Sequence, residues 1–495
     1  MVADIRRPEM MTCELDTRRL YEALRARDRR FDGRFFVAVR STRIYCRPVC
    51  TVRPPKFENC TFLPTAAACE QAGYRPCLRC RPEIAPGTVA PVDAVSRIAS
   101  LAVRRIEDGA LSGGGLEDLA AEFGITGRHL RRVLCTETGQ SPLELAQTQR
   151  LLLSKQLLTD TKMSVTEVAF AAGFESLRRF NHAFKTRYRL TPTGLRRTGP
   201  KLPDQDAYAF ELAIRPPIDL PSLLTYWTAR ATAGVEHVSN NDYQRTVAIG
   251  KRTGWVSIRP GAHSHTVRVI ISSSLGPALT TVLARLKHML DTRSDPLEVG
   301  KFLADDPLLV ESVRNYPDVR IPGAFDGFEC AIRTVLGQQI SVRGATTLAG
   351  RLANRFGRPI ASPIEGLTTL FPTPESLAEA SVNELTSLGL TGRRAETIKG
   401  LAYAFADEQV RLEPGTDPDG VRSTLLGLPG IGDWTVEYLL LRACGWPDAF
   451  PAGDLGLQKA AKLSANKLRD RAERWRPWRG HAAMLLWRSL ANPTV

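Results

Sequence analysis

No stretch of about eighteen consecutive apolar residues occurs in the 495-residue chain, so no membrane-spanning helix is expected. Met1 to Arg7 is charged and leads into no apolar segment, which argues against a secretory signal and for a soluble cytoplasmic protein. Cysteine is sparse as well, with ten in all. Six of these, Cys13, Cys60, Cys69, Cys135, Cys330 and Cys444, have no partner at paired spacing and read as ordinary thiols rather than a disulfide framework. Acidic charge is also short: 52 Asp+Glu face 67 Lys+Arg, a net of +15. Residues 1–90 hold 17 Lys/Arg against 10 Asp/Glu, and residues 91–200 hold 16 against 11. An excess concentrated in the first two fifths is the footprint of a polyanionic partner, most simply nucleic acid.

The remaining four cysteines are paired: Cys46-x3-Cys50, then Cys77-x2-Cys80. Two close pairs separated by a small-domain loop suit a tetrahedral Zn²⁺ held by four thiolates, and spacing alone favours a purely structural knuckle. Arginines crowd both pairs (Arg43, Arg47, Arg53, Arg75, Arg79, Arg81). A zinc thiolate is a nucleophile and a basic surround attracts phosphate, so a reactive centre is the rival reading.

Pro and Gly punctuate the chain at Arg81–Pro91 and Thr191–Pro203, where linkers are expected. Between them the pattern is helical and repeated. Leu116–Phe123 has helical spacing, Gly124 breaks it, and Thr126 caps a second helix from Gly127 to Cys135. Ser164-Val165-Thr166-Glu167 is a capping box that opens Val165–Ala172; Gly173 turns the chain into a helix over Ser176–Tyr188. Helix, glycine turn, helix, twice over, is a double helix-turn-helix. Thr246–Ile249, Trp255–Ile258 and Thr266–Ile271 read as strands, followed by a helix at Pro277–Asp291. From about residue 306 the pattern is helical with short loops.

The run Val168–Lys185, ending in Leu190-Thr191-Pro192, resembles the AraC-type regulator signature over residues 95–198. That resemblance implies two recognition helices in successive major grooves. By helical spacing Leu177, Phe180, Ala183 and Phe184 face inward, leaving Ser176, Arg178, Arg179, Asn181, His182 and Lys185 toward bases or phosphates. In the first unit the outward set is Thr126, Arg128, His129, Arg131 and Arg132.

Phe35–Arg40, Ile44–Cys50 and Gly73–Cys80 are similar to the N-terminal domain of the Ada adaptive-response family over about residues 13–85. The resemblance implies irreversible transfer of a methyl group from a DNA methylphosphotriester to one zinc-bound cysteine, by position Cys46, with Cys50, Cys77 and Cys80 completing the site. A four-thiolate zinc centre carries a net charge near −2; methylating one ligand leaves about −1, which lowers repulsion from phosphate and strengthens DNA binding. The Pro-Cys-His-Arg nucleophile of the second Ada-type methyltransferase domain is absent, so O6-methylguanine repair is not expected.

Leu428-Pro429-Gly430-Ile431-Gly432 is a helix-hairpin-helix turn whose glycines, Gly430 and Gly432, let backbone amides approach a phosphate, with a monovalent cation possible on the carbonyls of 428–432. Downstream stands Asp454 in Phe450-Pro451-Ala452-Gly453-Asp454. With Arg215–Asp219, Thr334–Val342 and Ala472–Arg479, these motifs resemble the AlkA-type 3-methyladenine glycosylases over about 205–490. The resemblance implies a flipped nucleotide, a pocket of Trp434, Tyr438, Trp487 and Tyr226 that holds a cationic base, and an Asp454 carboxylate that stabilises charge on the sugar or orients a water. Lyase-competent relatives carry a lysine where Trp434 stands, which points to a monofunctional enzyme, and the iron–sulfur cysteines of other relatives are missing. The chain departs from the family pattern at Gly453, at Leu455 and at Gln339, which stands where an apolar wedge fills the gap left by the flipped base.

The expectation is a multidomain α+β chain. Residues 1–85 form a small zinc-bound α/β domain and 92–198 an all-α double helix-turn-helix domain. Residues 205–292 form an antiparallel-sheet domain packed on the α-helical helix-hairpin-helix glycosylase core, 293–495. Its function is read as an alkylation-damage sensor and activator that also excises alkylated purines, with one Zn²⁺, double-stranded DNA and RNA polymerase as partners, acting as a nucleoid-associated monomer. The rivals are a regulator whose glycosylase domain binds DNA without efficient excision, and a repair enzyme merely tethered by its basic half.

Overall fold

The computed structural model describes residues 17–86, 94–112, 114–197, 207–239 and 241–491. Cys13 and the expected linker residues 87–91 and 198–203 lie outside them. No described helix is long and apolar enough to cross a membrane.

Strands β1 (Phe36–Val39), β2 (Ile44–Cys46), β3 (Cys60–Leu63) and β4 (Arg75–Pro76) form a sheet in the order β3-β1-β2-β4, with β2 and β4 parallel. Pairing of Tyr45 with Pro76 brings both cysteine pairs to one end of the sheet, and Cys77 N donates to Tyr45 O at 2.9 Å. The alternating pleat sends Tyr45 inward, against Phe36 and Leu152.

The expected linker at Arg81 is instead ordered as far as Pro86. Pro82–Ile84 is a 3₁₀ turn whose Glu83 is buried and meets Lys155 Nζ at 2.5 Å. A proline-rich stretch reads as a linker only while its carboxylate has no partner, and Lys155 is 72 residues away in sequence.

The two helix-turn-helix units occupy Leu116–Ala121 with Gly127–Thr138, and Val165–Ala171 with Leu177–Tyr188. Ser164 and Glu167 form the expected capping box. Between the units runs a 19-residue helix, Pro142–Asp160, opened by a Ser141/Glu144 box. No one-sided apolar stripe announces this helix, because residues on most of its circumference, Leu151, Ser154, Lys155 and Gln156 among them, are buried.

The five-stranded antiparallel sheet runs β5-β9-β8-β7-β6, with β5 (Ala207–Ala213), β6 (Glu236–Ser239), β7 (Asp242–Ile249), β8 (Arg252–Pro260) and β9 (Thr266–Ser272). The helix expected at 277–291 occupies Leu279–Met289. The second helix-turn-helix unit and this sheet share one apolar core, which contains Phe180 and Phe184 together with Phe210, Val256 and Leu283. The helical part that follows has its own core around Leu336, Leu439, Leu440 and Trp475. Buried ion pairs Arg245–Glu329 (2.5 Å) and Arg333–Glu236 (2.7 Å) fasten sheet to helices.

Candidate active site and metal centre

Cys46, Cys50 and Cys77 are buried and Cys80 is half-buried, and their Sγ atoms all lie within 4.8 Å of one another. Two amides already point at the cluster: Arg47 N donates to Cys80 Sγ (3.3 Å) and Arg79 N to Cys77 Sγ (3.4 Å). Four soft donors at this separation, with amides that favour thiolate charge, fit a tetrahedral zinc ion.

The six surrounding arginines divide into two groups. Arg47 is buried, its Nε on Asp32 Oδ1 at 2.8 Å, its Nη2 on Asp32 Oδ2 and its Nη1 on the Cys80 carbonyl. Arg81 is committed to Asp160 (2.6 Å) and Glu83 (3.1 Å). Those two hold the fold and do not reach phosphate. Arg43, Arg53 and Arg79 are exposed and Arg75 is half-buried, so the basic rim is narrower than the composition suggests.

On the reading helices Arg128, Arg131, Arg132, Arg178, Arg179, Asn181, His182 and Lys185 are exposed and His129 is half-buried. Phe180, Phe184 and Leu130 are fully buried behind them, as the helical spacing requires. Thr126 and Ser176 differ from the rest. Their hydroxyl oxygens accept from His129 N and Arg179 N, so they cap the helices and set where each begins rather than standing free for a base.

In the C-terminal half, the turn 427–432 packs on Thr397. A Cβ on Gly430, where φ is +84°, would lie 2.0 Å from Thr397 Oγ1, so glycine is required there. The Leu428 carbonyl accepts from Ile431 N (3.2 Å) and the Gly430 carbonyl from Gln338 Nε2 (3.2 Å), which leaves one lone pair on each. Gln338 also reaches Thr435 Oγ1 (3.2 Å), and its own carbonyl accepts from Arg394 (2.6 Å). These bonds tie the hairpin to the turn that carries Gln339, which is exposed at φ +58°, with the exposed Ile340 next to it. That turn therefore presents an amide and an apolar group side by side.

Asp454 caps the helix Leu455–Ala461 through Leu457 N (2.9 Å) and lies between two indoles. Trp434 Nε1 donates to Oδ2 and Trp487 Nε1 to Oδ1, both at 2.9 Å. Cap and candidate catalyst are thus the same carboxylate. A Cβ on Gly456 would lie 2.9 Å from Asp454 Oδ1, so that glycine leaves room for the carboxylate; the motif reading had not singled it out. Trp434 stacks on Tyr438 at 5.5 Å, and Tyr438 meets Trp487 edge-on at 6.2 Å. Tyr226 comes from the sheet domain and is gripped by Arg442 and Arg230, whose guanidinium carbons lie 5.0 and 3.9 Å from its ring centre. Burial raises the Tyr226 phenol, but Arg442 and then Arg230 outweigh it and leave the pKa lowered. Burial, then the neighbouring Tyr226, pushes Tyr438 up to about 12. Leu455, next to Asp454, is 81 % exposed.

Family models match along the chain: the metal binding domain of Ada over 19–83, a helix-turn-helix domain over 119–198, the AlkA N-terminal domain over 209–326, and the HhH-GPD superfamily of base excision DNA repair proteins over 332–473. A probable bifunctional transcriptional activator/DNA repair enzyme AlkA of Mycobacterium tuberculosis is 40% identical over 488 residues, 97% of each chain. DNA-3-methyladenine glycosylase 2 of Escherichia coli is 33% identical over 279 residues, 56% of this chain and 96% of that one. The bifunctional transcriptional activator/DNA repair enzyme Ada of Escherichia coli is 34% identical over 163 residues, 33% of this chain and 44% of that one.

Proposed function

We infer residue roles from one premise: the chain belongs to the family of AlkA-type bifunctional transcriptional activators and DNA repair enzymes. The observation that carries the excision role is the Asp454 carboxylate held between the Trp434 and Trp487 indoles.

An ionised carboxylate offers about four lone-pair sites, and three are already used, two by the indoles and one by Leu457 N. One remains, on Oδ2. We assign Asp454 the role of countercharge. As the C1′–N bond of an alkylated purine breaks, the bonding pair leaves with the base, and positive charge grows on the sugar beside the fixed carboxylate. Water then adds to C1′ and loses its proton to solvent. Trp434, Tyr438, Trp487 and Tyr226 seat the flipped base, Gln339 fills its place in the duplex, and Gly430 and Gly432 grip the backbone, with a monovalent cation on the hairpin carbonyls. Single-turnover release of free bases from methylated duplex DNA tests the assignment. Wild type releases 3-methyladenine, and Asp454→Asn loses at least about a hundredfold while still binding DNA. Equal release by the two sinks it, and no release by wild type favours a domain that binds without excising.

For the thiol centre we propose Cys46 Sγ as methyl acceptor. Bound zinc keeps the thiols ionised at neutral pH. Sγ attacks the methyl carbon of a phosphotriester, S–C forms as C–O breaks, and the phosphodiester anion leaves. The chain gains one CH₂ in mass, permanently. Exposed Arg43, Arg53 and Arg79 attract the backbone, and the reading helices then hold promoter DNA for RNA polymerase. The two units suffice for a monomer near the nucleoid. Intact-mass measurement on methylated DNA should show the gain in wild type and none in Cys46→Ser.

A further inference from the structure

Arg442 closes the helix Asp433–Arg442 that carries Trp434 and Tyr438. It is 8 % exposed, with its guanidinium carbon 5.8 Å from the Tyr438 ring centre and 5.0 Å from that of Tyr226, and its Nη1 donates to the Tyr226 hydroxyl. Its Nε has no partner, and among the described residues no carboxylate forms an ion pair with it. Arg245 and Arg333 are neutralised by Glu329 and Glu236, whereas Arg230, 3.9 Å from the Tyr226 ring centre, donates to the Tyr226 carbonyl and, like Arg442, forms no ion pair among the described residues. A buried guanidinium without a carboxylate countercharge is costly, and among the described residues its side-chain partners are the Tyr226 hydroxyl and the Tyr226 and Tyr438 rings.

We propose that Arg442 sets substrate range by placing a positive charge behind the base seat, so that the pocket takes neutral damaged purines as well as cationic ones. The inference rests on the reading of Tyr438 as a pocket ring. Aromatic faces attract a cationic base, but a fixed cation already held against the same rings opposes that attraction. At roughly 10 Å and an effective dielectric near 20, one charge changes the occupancy of a cation on the order of tenfold. The sign reverses for a neutral base. When its C1′–N bond breaks, the bonding pair makes it an anion until water supplies a proton, and the Arg442 charge stabilises that anion. One residue therefore hinders the easily expelled cationic base and helps the poorly expelled neutral one.

The test is single-turnover release of 7-methylguanine (cationic) and hypoxanthine (neutral) from duplexes by the full-length protein. Arg442→Met should raise the ratio of 7-methylguanine to hypoxanthine rates about tenfold, while Arg442→Lys, which keeps the charge, should hold it within about twofold of wild type. An unstable protein would lower both rates without moving the ratio this way, and Arg442→Gln serves if the Met variant does not fold. An unchanged or lowered ratio in Arg442→Met, or no hypoxanthine release by wild type, overturns the proposal. Tyr438→Leu separates the underlying reading: if it leaves both rates at wild-type values, Tyr438 is not in the pocket and that reading fails, whatever Arg442 does.

Discussion

His288 shows at single-residue scale how burial fixes a protonation state. Its Nε2 donates to the Arg442 carbonyl at 3.0 Å, and its Nδ1 accepts from Arg104 at 3.4 Å, which commits the ring to the neutral form. Burial, then Arg104, lowers its pKa to about 3. Because the folded value lies below the unfolded one, the unfolded chain binds the extra proton first. Stability from this site is complete above about pH 6.5 and is lost as pH falls toward 3. A melting series from pH 7 to 4 should show a steep decline that His288→Gln flattens; parallel curves would contradict the assignment. The Asp454 clamp makes a finer prediction. Trp487→Phe keeps the ring and removes one of three donors, so base release should drop roughly tenfold to a hundredfold with DNA affinity unchanged.

At the scale of elements, Glu70 joins three of them. It lies on the helix Ala66–Gln71 and is 1 % exposed; it accepts from Tyr45 on β2 at 3.0 Å, and Arg187 on the second reading helix lies 3.6 Å away. Tyr45 precedes Cys46, so the strand that carries one cysteine of the cluster and the reading helix touch one carboxylate. Burial raises the Glu70 pKa to about 7, against the lowering by Arg187. The folded value exceeds the unfolded one, so this contribution is complete below about pH 4.5 and is lost as pH rises through 7, up to roughly 3 kcal/mol. Glu70→Gln should therefore be relatively more stable than wild type at pH 8 than at pH 5; a constant difference would refute this. Within the same reading unit, Ser164→Ala removes a cap with its reciprocal Glu167 bond and should cost about 1 kcal/mol by denaturant melting.

The whole molecule is more tightly joined than three domains on linkers. The zinc domain meets the glycosylase part through Arg34–Asp295 (2.6 Å) and through Arg215 Nε on the Asp32 carbonyl (3.1 Å), while the Asp32 side chain holds Arg47 beside the thiol cluster. The helix Ala94–Glu107, which precedes the first helix-turn-helix unit, meets it through Arg105–Glu413 (2.5 Å) and Arg293–Glu107 (2.7 Å), and Glu122 at the end of that unit's first helix pairs with Arg411 (2.5 Å). Chelation of zinc should therefore lower the melting temperature of the whole chain rather than release one small transition. A separate early transition, with the remainder unmoved, would show that the zinc domain is thermally independent. Glu83→Ala strands Lys155 in the interior and should cost about 3–5 kcal/mol, read from urea midpoints.

What the sequence alone determined was everything that depends on short-range pattern: the paired cysteines, the capped reading helices, the hairpin glycines with Asp454 downstream, and the strands at Thr246, Trp255 and Thr266. Spacing of a few residues sets which face a side chain occupies, so those features were legible without any long-range contact. Partnership over long separations was not. Whether Arg47 and Arg81 serve phosphate or the fold depends on Asp32, Glu83 and Asp160 arriving beside them. The helix Pro142–Asp160 carries no one-sided stripe because the turn Pro82–Ile84, the helix Ala66–Gln71 and helices of both helix-turn-helix units pack around it. Tyr226 and Arg442 lie 216 residues apart, and only packing of the sheet domain on the helical core brings that guanidinium and hydroxyl together. Electrostatic environment is a property of proximity in space, and the tertiary structure alone decided it.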